Sequence, residues 1–288
     1  MHRRRLALGL GILVAVVLVG GYAFLWTSMG WPWDGFHWLP PSGGATARRT
    51  LSARGLSQVV IDTQTAAAVQ VETQSGPDIR LVWSCPGQPA RALTLTRQGA
   101  TVRIVFRPPP AVNLSFSLFR QPTALLDVTL PPGLSLTSES PTGSLAVEGT
   151  FRQVVASVEV GTLYVHQFTG ALSAAVGTGA LGVEGATIEG PLTLSTRLGV
   201  VDFWGDPGRS ATVYDNLGPV NLRLLPTARL AVSVRVGFGS FTTAGFAGLA
   251  GGDSSGVYVG QVGQGAPGTL SVNDVSGGVT LVPDQSQP

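Results

Sequence analysis

Few residues in this 288-residue chain could carry chemistry. Gly177-Thr-Gly179-Ala-Leu-Gly182 spells the G-x-G-x-x-G of a dinucleotide loop. Such a loop must open a helix whose free N–H groups hold the phosphates, and here Val183-Glu-Gly-Ala-Thr-Ile continues a strand pattern instead. Gly252-Asp-Ser254-Ser-Gly256 spells the G-x-S-x-G of a nucleophilic serine, but it lies in a Gly-rich stretch with no strand-to-helix elbow. A triad would also need a histidine base. Beyond the extreme N-terminus only His37 and His166 are available, the first in an aromatic stretch and the second just after a strand. Asp202, Asp206 and Asp215 lack the regular oxygen spacing of a calcium loop and read as solvated turn residues. Cys85, the single cysteine, has no basic neighbour to lower its pKa and reads as inert. Asn113-Leu-Ser115 is an N-glycosylation acceptor only in a host with that machinery. No catalytic, cofactor-binding or metal-binding residue is therefore assigned, and no cofactor is expected. The chain reads as a non-enzyme. An enzyme would need a pocket around His166 with a carboxylate within hydrogen-bond reach.

The elements that would position any site are more legible. Gly143-Ser-Leu145-Ala-Val147, Gly161-Thr-Leu163-Tyr-Val165, Gly179-Ala-Leu181-Gly-Val183, Gly199-Val-Val201-Asp-Phe203 and Gly218-Pro-Val220-Asn-Leu222 begin 18, 18, 20 and 19 residues apart. Even spacing of one short unit marks a stacked repeat architecture. Glycine permits the turn, and the next two alternate apolar residues point inward. Leu145, Val147, Leu163, Val165, Leu181, Val183, Val201, Phe203, Val220 and Leu222 are predicted to form one core column. Leu172, Leu192, Leu194 and Val213 are predicted to face them. Ser144, Thr162, Tyr164, Asp202 and Asn221 are predicted to point to solvent. The expected fold is all-β, a single-stranded β-solenoid. Before the repeats, period-two runs such as Val59–Ile61, Val69–Val71, Ile79–Trp83, Val102–Phe106 and Leu125–Leu130 predict further strands. Residues 108–122, rich in proline, read as a protruding loop, and Gly245–Gly265 as a long loop or hairpin tip. Gly268-Thr-Leu270-Ser-Val272 and Gly278-Val-Thr-Leu281 are predicted to form the last, capping rung.

Leu6–Trp26 is an unbroken apolar run, long enough at about 1.5 Å per residue to cross a ~30 Å hydrocarbon layer. Arg3, Arg4 and Arg5 precede it, which predicts a cytoplasmic N-terminus and a single-pass protein with its C-terminal domain outside the cell. The alternative is a cleaved signal peptide and a secreted protein, with a poor small-x-small site at Gly21-Tyr-Ala23. Trp26, Trp31 and Trp33, with Phe36 and Trp38, suit the headgroup zone, and 40–47 reads as a flexible tether. The expected organisation is a basic flank at 1–5, a transmembrane helix at 6–26, a juxtamembrane linker at 27–54, a β-repeat domain at 55–283 and a tail at 284–288. All 18 basic residues are arginine and read as scattered; beyond residue 45 fifteen of them meet fifteen acids. Without a clustered positive surface, nucleic acid is not an expected partner.

The segment Leu126-Asp-Val128-Thr-Leu130-Pro-Pro-Gly-Leu134-Ser-Leu136, the Gly-x-Leu-x-Val units after it and the closing Leu270-Ser-Val272-Asn-Asp-Val-Ser-Gly-Gly278-Val-Thr-Leu281 resemble the bacterial "putative adhesin" family of β-strand repeats, also called toast-rack domains. The resemblance spans about 55–283 and implies a membrane-anchored or secreted β-solenoid without enzymatic residues, in some cases tied to envelope stress. This chain departs from the pattern in its Pro-rich loop and in often lacking the Asp or Asn after the turn glycine. The expected role is a cell-envelope adhesion or protein-interaction scaffold with an unknown protein or cell-surface partner. The alternatives are an accessory or sensor module of a signalling system and a polymerising structural β-helix.

Overall fold

The structure, a computed structural model, describes residues 45–86, 89–109, 124–246, 256–265 and 268–284. The proposed anchor at 6–26, Arg3 to Arg5, Trp26, Trp31, Trp33, His37, Asn113 and Ser254 lie outside them. No helix among the described residues is long and apolar enough to cross a membrane. Apart from one 3-10 turn, Pro89–Arg91, the elements are strands: β1 Ala45–Ser52, β2 Gln58–Thr63, β3 Ala67–Thr73, β4 Asp78–Cys85, β5 Leu93–Gln98, β6 Thr101–Phe106, β7 Leu125–Leu130, β8 Ser135–Asp206, β9 Ser210–Asp215, β10 Gly218–Leu224, β11 Leu230–Thr243, β12 Val257–Val262 and β13 Gly268–Pro283. The described residues are nearly all β.

Hydrogen bonding joins all thirteen strands, and two ladders can be followed through them. The first runs β1-β4-β7-β3-β8-β10-β13-β11. The second takes β5, β6, β2, the other stretches of β8, β9, β13, β11 and β12. Pairing is parallel and in register through the middle, where Val201 lies beside Val220 and Leu192 beside Ala211, each 19 residues on. Each backbone thus bonds to a near-equivalent stretch one repeat away, so a small repeat suffices to build long-range order. The residues of the expected columns, Leu145, Val147, Leu163, Val165, Leu181, Val183, Val201, Phe203, Val220 and Leu222 with Leu172, Leu192, Leu194 and Val213, are all buried in one continuous apolar core.

Glycine sets the corner. Gly143, Gly161, Gly179, Gly199 and Gly218 all have positive φ, from 126° to 157°. A Cβ on Gly161 would stand 1.8 Å from the Gly143 carbonyl oxygen, one on Gly179 the same distance from that of Gly161, and one on Gly199 1.7 Å from that of Gly179. The repeat's leading glycine is therefore required twice, by its own dihedral and by the neighbour stacked on it.

Three local readings are corrected. The last segment of the chain is not the last rung: β13 lies between the β9–β10 pair and β11, and β12 pairs antiparallel with β11 beyond it. Its corner residue is Gly277, beside Gly218, rather than Gly278. The stretch 245–265, read as a long loop or hairpin tip, contains β12, which pairs antiparallel with β11 and whose Val257, Tyr258, Val259 and Val262 favour extended backbone. The tether gives way to strand at Ala45, ahead of the expected domain start, because β1 is held by pairing with β4 rather than by an apolar period of its own.

Candidate functional site

Alternation along the first ladder buries Leu163, Val165 and Val183 and turns Tyr164, His166 and Glu184 outward on neighbouring passes of β8. Gly182 carries no side chain beside Tyr164, and the phenol reaches past it: the Tyr164 hydroxyl donates to Glu184 Oε2 and lies 3.2 Å from His166 Nδ1. The Tyr164 and His166 rings stack at 5.8 Å with an interplanar angle of 19°. His166 Nδ1 stands 3.8 Å from Glu184 Oε2. Burial, then the hydrogen bond and charge of Glu184, then the charge of Glu148, raise the Tyr164 pKa, so the phenol stays protonated as a donor. Directly after the cluster, Gln167 has φ 43°, the one positive value among the described non-glycine residues.

The same outer face carries more carboxylates. Glu72 and Glu148 are in register on β3 and β8. Thr129 donates to Glu72 over 3.1 Å, and Asn221 Nδ2 donates to Asp202 Oδ1 over 2.7 Å. Burial, then the charge of Glu72, pushes Asp127 up to about 6. Burial also raises Asp202, against the pull of Asn221 and Arg223. Ser144, Thr162, Tyr164, Asp202 and Asn221 were expected in solvent and are half-buried, since strands about 4.8 Å apart leave each outward side chain flanked by the next. The result is a stripe rich in acceptors. It can engage cationic or hydrogen-donating groups on a partner, while a phenol locked as donor is no base.

The other singled-out residues do not gather. Asp206 accepts from the Gly208 N–H at 2.9 Å, and Asp202 serves Asn221. Asp215 is buried and accepts from the Thr196 hydroxyl. No three histidine, cysteine or acidic side chains converge as a metal set among the described residues. Gly177 and Gly179 lie inside β8, where Gly177 leaves room for the Glu159 side chain, which pairs across it with Arg197. Cys85 is buried, and burial pushes its thiol up. An open groove of about 760 Å³ lies away from His166, between Ile188, Glu189, Asp206, Arg209, Thr227 and Arg229.

Sequence reading missed a second pair. Asp215 and Asp274 are in register on β9 and β13, 1% and 0% exposed, and burial pushes each up to about 6. Asp215 Oδ2 and both Asp274 oxygens have no hydrogen bond of good geometry, although the Ser276 backbone favours the charged form of Asp274. Their signal was available, since each stands three residues before a corner glycine, Gly218 or Gly277.

No known sequence family matches the chain, and no curated protein matches it. Among solved structures it is similar to a "putative cell adhesion protein" from Clostridium sporogenes, at 8% identity and a TM-score of 0.41 over 84% of this chain and 100% of that one. It is similar to a "putative adhesin" from Parabacteroides distasonis at 7% identity and a TM-score of 0.41, over 84% and 98% of the two chains. A "putative lipid binding protein" from the same organism stands at 10% identity and a TM-score of 0.40, over 86% and 99%. At such identities and TM-scores nothing about this chain follows from them.

Proposed function

We propose that this is a single-pass, non-enzymatic cell-envelope protein whose external domain is a β-solenoid, acting as a rigid scaffold for adhesion or protein interaction. The two ladders are then the flattened faces of one winding chain, and the acceptor-rich stripe around Tyr164, His166 and Glu184 is the face that meets the partner. One observation carries the reading: parallel, in-register pairing between stretches one repeat apart, which builds a stiff body with side chains in columns on its surface. His166 Nδ1 stands 3.8 Å from Glu184 Oε2, outside hydrogen-bond reach, and Glu184 faces out from an open sheet and takes the Tyr164 proton donor, which favours contact over catalysis. The anchor is the apolar run 6–26, with the N-terminus inside.

Intact cells carrying the full chain with a C-terminal epitope test both parts. The epitope is expected to be reachable by antibody and protease from outside. Cells lacking the protein are expected to adhere less to host or neighbouring cells, and the double variant E148K/E184K to reproduce that loss at unchanged surface level. An epitope hidden until lysis, or adhesion indifferent to both changes, would overturn the reading.

A further inference from the structure

Charge along the folded domain is segregated, although the arginines look scattered in the linear chain. Residues 45–109 hold eight arginines against three acids, whereas 124–284 hold six against twelve. Folding concentrates the first group further. β1 and β5 are the terminal strands of the two ladders at the same end, and the 3-10 turn Pro89–Arg91 packs against both. Arg48 and Arg49 lie on β1, Arg54 in the turn after it, Arg91 on the 3-10 turn and Arg97 on β5, all exposed. The Arg97 guanidinium donates to the Arg54 carbonyl over 2.8 Å, which ties the two edges together. None of these elements contains an acid. None of the five arginines is in an ion pair among the described residues; Arg103, one strand inward, pairs with Asp62 at 2.9 Å.

Charged residues on an edge strand often serve only to block strand addition. That role does not explain the asymmetry, because the opposite end is left without it. The terminal β12, VYVGQV, has no charge, and Val259 and Phe238 are 66% and 78% exposed there. The basic end is also the one the chain enters, at Ala45, shortly after its apolar and Trp-rich stretch. If Trp26 to Trp38 lie in the headgroup zone, the six residues 39–44 reach at most about 20 Å.

We infer that the arginine-bearing end formed by β1, β5 and the 3-10 turn docks on the anionic phospholipid surface of the bilayer in which the chain is anchored. The inference rests on the anchored reading above. Arginines near an anionic surface each strengthen attachment about fivefold, and the acidic body, repelled by the same surface, is directed away from it. The external domain then stands upright on the membrane, its acceptor-rich face turned sideways and the uncharged strand β12 outermost.

Residues 40–288 form one compact unit with its own core, so this part can be tested without the anchor. It is expected to sediment with vesicles of phosphatidylglycerol mixed with phosphatidylcholine, to leave pure phosphatidylcholine vesicles unbound and to release at high salt. R48S/R49S should weaken binding on the order of 30-fold at an unchanged melting temperature, and R209S/R229S, away from this end, should not. Equal binding to both kinds of vesicle, or indifference to R48S/R49S, would overturn the docking. Extraction of the full chain from membranes with alkaline carbonate reports on the anchor alone, so the two readings can fail separately.

Discussion

At the scale of single residues, the corner glycines and the buried carboxylates behave oppositely under substitution. G179A forces a side chain into φ 138° and places its Cβ 1.8 Å from the Gly161 carbonyl oxygen, so unfolding by urea is expected to show a loss of at least about 3 kcal/mol. G99A meets open space at φ 58° and is expected to cost only about 1 kcal/mol. Equal losses would deny the stacking contact its role. Asp215 and Asp274 face each other, the Thr196 hydroxyl, the backbone of Asn216 and Ser276, and Val236 in β11. Folded carboxyls held near 6 keep protons that unfolded ones, near 3.8, have released. Rising pH therefore withdraws stability from about 4 to just above 6 and changes it little beyond. Wild-type protein should melt higher at pH 5 than at pH 7.5, and D215N/D274N should flatten that difference and raise the melting point at pH 7.5. A wild-type melting point that climbs with pH over this window would contradict the pairing.

The elements are joined in an order that the chain's direction does not give. β13, last in sequence, is bonded to β9 and β10 on one side and to β11 on the other. Deleting 268–288 would remove an interior strand and uncover Val213, Val220, Val232 and Val234 together, rather than fray an end. The truncated protein is expected to be insoluble or readily proteolysed throughout, and stable, soluble material of that length would show β13 to be peripheral. A similar exchange marks the other end, where β6 and β7 pair outside β2 and β3 although they follow them in sequence. At one end both ladders close with antiparallel strands, β4 and β5, whereas at the other β12 closes only the second ladder and the first ends on β11, parallel to β13. Antiparallel closure interrupts the parallel register that would otherwise continue into a neighbouring molecule.

For the whole molecule, the two ends differ in a way that bears on assembly. One presents Arg48 and Arg49 on an edge strand, and the other an uncharged strand with Val259 exposed. Stacking them head to tail would strip water from guanidinium groups without offering an acid in return. Residues 40–288 are expected to elute as a monomer at all concentrations in size-exclusion chromatography, and a peak that grows with concentration would favour the polymerising alternative.

The strands β2 to β7 and the inward columns were legible in the linear chain, because alternation of apolar residues and the recurrence of glycine are local properties set by the pleat and by φ. Leu163 and Val165 declare their direction within five residues. What stayed hidden depends on neighbours distant in sequence. β1 is a strand only through β4, β13 is interior only because β11 passes beyond it, and Tyr164 meets Glu184 only when two repeats stack. The grouping of Arg48, Arg54, Arg91 and Arg97 has the same cause: strand pairing brings separate edges to one end, and no pattern of side chains along the backbone states which edges those are.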